Sequence, residues 1–175
     1  MKRYFLLLLL CIPFMGTAQV KVVERKESPK IELCKVYKDM KKANDCAWVY
    51  LLDGDVFFET RTTNQFDDDF IYYLGDDIES AVVTLKDLVA LIEENDIGTE
   101  FVIDFWKGEE CRAFIADWLS DVTYRPNTVG RGSKIVFQHN DYAGFAVMQK
   151  KALQSMIGKL QGRMIKESRK NGKFQ

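Results

Sequence analysis

The dipeptide Asp53-Gly54, set between the apolar runs 46–52 and 55–60, constrains this chain more than any other feature. A two-residue turn between twisted strands needs positive φ at both central positions, which Asp-Gly tolerates. The two runs therefore predict an antiparallel hairpin with Leu52 opposite Asp55, Tyr50 opposite Phe57 and Trp48 opposite Glu59. Alternation along the strands places Trp48, Tyr50 and Phe57 on one face and Val49, Leu51, Val56 and Phe58 on the other. Both faces are apolar, so either both are covered or one is an exposed aromatic patch of the kind that binds sugars, peptides or partner proteins. Trp48, Tyr50 and Phe57 are accordingly the candidate binding residues.

Further short apolar or alternating runs predict strands at 31–38, 69–74 and 79–83, then at 99–106, 111–118, 133–139 and 144–148. Lys107-Gly108-Glu109-Glu110 reads as a second hairpin turn. Thr84 reads as an N-cap, with Leu85, Leu88, Val89 and Ile92 at helical spacing until Asn95 and Gly98. Leu153, Met156, Ile157, Leu160 and Met164 form a matching stripe on a longer C-terminal helix. Strands joined by short loops imply antiparallel pairing, with each helix packed on a sheet, an α+β fold.

The chain also resembles itself at an offset of 65 residues. Ala81–Ile92 and Ala146–Ile157 coincide in alanine, valine, lysine, leucine and isoleucine at five positions, and the same offset sets Phe70-Ile71-Tyr72 on Ile135-Val136-Phe137 and Cys46 on Cys111. Several coincidences at one offset predict two tandem sheet-plus-helix repeats forming one pseudo-two-fold unit. The expected organisation is a signal peptide at 1–18, an arm at 19–30, repeat 1 at 31–98, repeat 2 at 99–168 and a basic tail at 169–175.

Lys2 and Arg3 precede an apolar run from Tyr4 to Met15, and Gly16-Thr17-Ala18 follows with small residues, the three-part pattern of a secretory signal cleaved after Ala18. The run is shorter than the roughly twenty residues of a transmembrane helix, so no membrane span is expected. Cys11 suggests acylation, but Leu10 before it is larger than that processing accepts. The expected location is secreted or periplasmic. Removing residues 1–18 leaves Cys34, Cys46 and Cys111, too few for a disulfide scaffold. A Cys46–Cys111 bond joining equivalent places in the two repeats is the one pairing the repeat suggests.

The 175 residues carry a formal charge of −1, with 25 basic and 26 acidic side chains, which gives no sign of a nucleic-acid binder. That value is a cancellation: residues 19–149 carry −10 and residues 150–175 carry +7. The basic helix reads as docked by its apolar stripe, with its charged face in solvent.

Enzyme chemistry has one candidate. Pairing across the second turn, with Trp106 opposite Cys111, would set Glu100 opposite Asp117, with Asp104 on the same face, and facing carboxylates are a means of building hydrolytic or metal sites. Asp67-Asp68-Asp69 lacks a calcium-loop spacing and reads as a solvated loop. Gly130-Arg131-Gly132-Ser133 lacks the ending of a phosphate loop, and the single His139 rules out multi-histidine metal centres. No cofactor or metal is expected. The chain thus reads as a non-catalytic binding or interaction module with a protein or glycan partner, with a hydrolase built on Glu100, Asp117 and Asp104 as the alternative.

Overall fold

The computed structural model describes residues 28–37, 46–116, 134–139 and 143–172. Four strands, β1 (Ile31–Tyr37), β2 (Cys46–Leu52), β3 (Asp55–Thr60) and β4 (Phe70–Gly75), form an antiparallel sheet in chain order, followed by α1 (Ile78–Glu94). The plan recurs with β5 (Glu100–Trp106), β6 (Glu109–Ala116), β7 (Lys134–Gln138) and β8 (Ala146–Gln149), followed by α2 (Lys150–Asn171). The fold is α+β, with two four-stranded antiparallel sheets each followed by a helix. The signal segment, most of the arm, Asp117 and the Gly130–Ser133 stretch lie outside the described residues.

The first hairpin forms in the expected register, with Leu52 opposite Asp55, Tyr50 opposite Phe57 and Trp48 opposite Glu59. Asp53 and Gly54 both take positive φ, 53° and 95°. The second hairpin departs from expectation. Lys107 and Gly108 alone make its turn, at φ 35° and 100°, and a bulge between Asp104 and Trp106 completes the register. Glu100 consequently stands opposite Phe114, and Ile103 opposite Cys111. Burial explains the shift. This register sets Phe101, Ile103 and Phe105 beside Cys111, Ala113 and Ile115 on the covered face, whereas the expected one would have put Glu100 and Asp104 there.

Residues 79–83, expected as a strand, are the first turns of α1. Ala81, Val82, Leu85, Leu88, Val89 and Ile92 form its buried stripe, so the helical period extends across the β-branched run that looked strand-like. The N-cap is Asp77, whose carboxylate accepts from the Ser80 backbone N–H at 2.7 Å, and not Thr84, whose hydroxyl donates to the Leu74 carbonyl at 2.7 Å. The offset of 65 accordingly sets helical Ala81–Thr84 against strand β8, and β4 against β7. The order of elements repeats, but no constant spacing relates them.

One core joins everything. Phe58, Phe70, Tyr72, Phe105 and Phe137, drawn from both sheets, pack with ring centroids 5.2–6.4 Å apart. The helices lie against each other; α1 also touches β3, β4 and β7, and α2 touches β1 and β8, so each helix bridges the two sheets. The loop after β3 fastens onto the segment before β8: the Thr63 N–H donates to the Phe145 carbonyl at 2.9 Å, and the Gly144 N–H to the Asp67 carboxylate at 2.7 Å. Gly144 is needed there, because a Cβ would lie 2.6 Å from the Asn64 nitrogen.

The three described cysteines are buried thiols, so the Cys46–Cys111 bond does not form. Burial pushes the Cys34 and Cys111 thiols up to about 11. The basic face of α2 is partly engaged and not simply solvated. Lys159 donates to the Lys35 carbonyl, and Arg163 lies 3.4 Å from the carbonyls of Glu32 and Leu33, covering part of edge strand β1.

Candidate functional site

The face of the first sheet that points away from the helices carries Trp48, Tyr50 and Phe57, as the hairpin alternation requires. Phe57 is 3% exposed. It stacks on Trp106 of the second sheet at 4.7 Å, meets Tyr73 edge-on at 5.6 Å and lies 5.8 Å from Tyr50. The tip of the β5–β6 hairpin is held over this face by Lys107, which forms an ion pair with Asp55 and sits above the Tyr73 ring at 5.6 Å. Phe57 is therefore a packing residue under Trp106 and does not face solvent.

Trp48 and Tyr50 have a different cover. They floor a recess of about 250 Å³ rimmed by Lys30, Glu32 and Glu59. Trp48 stays partly exposed. Tyr50 is 4% exposed and its hydroxyl bonds the Glu59 carboxylate; burial first, and then the charge and hydrogen bond of Glu59, push its phenol well above the usual tyrosine range. The Lys30 ammonium lies 4.7 Å from the Tyr50 ring centre and 2.7 Å from Glu59 Oε2. Lys35, on β1 opposite Trp48, holds its ammonium 5.2 Å from the Trp48 ring and 5.6 Å from that of Tyr37.

Glu59 stands opposite Trp48 as the hairpin alternation requires, whereas no pattern in the sequence marks Lys30, Glu32 or Trp106 as part of this face. Lys30 belongs to an arm with no periodicity, and Trp106 reaches the face from the other sheet, a relation no local pattern encodes.

Of the carboxylate candidates, Asp117 lies outside the described residues, and Glu100 and Asp104 have separate surroundings. Glu100 is paired with Arg112 at 2.5 Å, with both side chains more than half exposed. Asp104 is exposed and stands opposite Glu110. Like charges do meet across this hairpin, but as a different pair and in solvent. Among the described residues no cluster of histidine, cysteine, aspartate or glutamate could hold a metal ion. Asp67 serves the loop contact to Gly144 and also accepts from Asn64 at 2.9 Å. His139 lies against the Phe105 ring at 4.9 Å. No helix among the described residues is long and apolar enough to cross a membrane. Compared with known proteins, the chain matches no family model, no curated protein and no solved structure.

Proposed function

We propose that this chain is a secreted or periplasmic, non-catalytic binding module whose ligand-facing surface is the Trp48–Tyr50 recess of the first sheet. The observation that carries this reading is a partly exposed tryptophan two residues from a buried tyrosine on the same face of strand β2, in a recess of about 250 Å³ with carboxylates on its rim. Rigid strands hold the aromatic rings in place, so a ligand gains contact area without first having to order them. The export assignment rests on the Lys2-Arg3, apolar and Gly16-Thr17-Ala18 pattern. The doubled order of four strands and a helix supports descent of the two units from one, with their spacing since changed by insertions.

The recess reading is tested by titrating the protein with acidic, basic and apolar peptides and with neutral oligosaccharides while following the Trp48 indole N–H by NMR. A ligand of this site shifts that signal and loses affinity when Trp48 is replaced by alanine. A panel that leaves Trp48 unmoved rejects the recess as the binding surface. Mass spectrometry of the exported protein should find Gln19 as its first residue, and a retained Met1 would reject cleavage after Ala18.

A further inference from the structure

We infer that the recess recognises the ammonium group of a lysine side chain on a partner polypeptide, and that Lys30 is its internal occupant. This rests on the binding reading above and names the chemistry of its ligand. Three features supply the recognition. The Tyr50 ring offers its negative face 4.7 Å from an ammonium, the Glu59 carboxylate closes on that ammonium at 2.7 Å, and Glu32 adds a second carboxylate to the rim. A ring face with an adjacent carboxylate suits a cation, because quadrupole and charge attract it together. Trp48 supplies a wall along which an aliphatic stem can lie. The same surface holds a second ammonium, that of Lys35, over the Trp48 ring.

Lys30 is a replaceable occupant. Residues 28–30 form no helix or strand and are exposed, and the Lys30 side chain is 52% exposed even with its ammonium seated. Among the described residues its attachments are one ion pair and one ring contact, each of modest strength at an exposed position. A lysine from outside forms the same two contacts when Lys30 swings into water, so the arm competes with the ligand and lowers its apparent affinity.

The test compares the peptide acetyl-Gly-Lys-Gly-amide with its norleucine counterpart, which keeps the stem and lacks the charge, and with maltotriose, all followed at the Trp48 indole signal. The lysine peptide should bind Lys30→Ala about 3- to 30-fold tighter than the unaltered protein, the combined range of an exposed ion pair and an exposed cation–π contact. Adding Glu59→Gln should cancel the gain. Lys86→Ala, which removes the same charge from an exposed position on α1, should give none.

Equal binding of the norleucine peptide, or an equal gain in Lys86→Ala, would overturn the inference. Binding of maltotriose without the lysine peptide would overturn the ammonium assignment and leave the binding recess standing. Silence of Trp48 toward every ligand would remove both.

Discussion

The two sheets share an order of strands and differ on their outer faces. On the first, Trp48, Tyr50, Phe57 and Tyr73 form an aromatic surface covered by side chains from elsewhere: Lys30 from the arm, Lys35 from the edge strand, and Trp106 and Lys107 from the other sheet. On the second, Glu100, Val102, Asp104, Glu110 and Arg112 stand exposed. Both inner faces contribute to one common core. The outer faces differ: the second mixes these exposed side chains with a fully buried Val136, whereas the first is aromatic along its length. The first sheet's outer face is itself divided, from Phe57 packed under Trp106 to the partly exposed Trp48 in the recess proposed as the binding surface.

Phe57→Ala tests the packed end of that face most severely. It removes a ring 3% exposed and in contact with three others, and a cost of about 3–5 kcal/mol in denaturant unfolding is expected. A loss below about 1 kcal/mol would mean that this face is surface throughout.

The inner faces make the complementary prediction, because Cys34 and Cys111 each have a thiol raised from 9.0 to about 11, chiefly by burial. The protonated thiol is the form the fold prefers, so this contribution to stability is complete below pH 9 and is lost as the pH climbs through 11. Below pH 9 the thiolate population of each is about 100-fold lower than in the unfolded chain. Thiol-reagent labelling of these two cysteines in the native protein should be slow at pH 8 and accelerate between pH 9 and 11. Labelling at pH 8 as fast as in denaturant would contradict the burial.

Trp106→Ala comes next, at about 1–2 kcal/mol, since it uncovers Phe57 and leaves a partly exposed gap instead of a closed cavity. It should leave the Trp48 signal in place. Movement of that signal by as much as a ligand causes would show that the recess and the Trp106 cover are one unit.

Much of this arrangement was legible in the residues. Asp53-Gly54 determined the first register, because few sequences other than Asp-Gly accept positive φ twice in succession. Leu153, Met156 and Leu160 marked the buried stripe of α2 by spacing alone. The second register was obscured because Lys107 adopts a left-handed conformation that lysine seldom takes, and because the bulge before Trp106 adds a residue that alternation does not signal. The start of α1 was hidden for a different reason. Ala81-Val82-Val83 is as good a strand as a helix until Asp77 and the following turns decide it. Of the recess, the sequence held Trp48, Tyr50 and their relation to Glu59; Lys30, which closes it, and Trp106, which covers Phe57 beside it, come from distant points of the chain.

The smallest expected effect separates the outer faces most finely, since each has an ion pair. Arg112–Glu100 joins side chains 59% and 56% exposed, and water screens both ends. Lys30–Glu59 joins side chains 52% and 18% exposed, and Tyr50 lies beneath the ammonium while bonding the same carboxylate. Double-mutant cycles to alanine should therefore give a coupling of about 0.2–0.5 kcal/mol for the first pair and about 0.5–1 kcal/mol for the second, with added salt weakening the first more. Equal couplings with equal salt dependence would mean that the aromatic floor contributes nothing to holding a cation. A larger coupling at Lys30–Glu59 would show that the aromatic floor strengthens the hold of Glu59 on an ammonium group, as the proposed recognition requires.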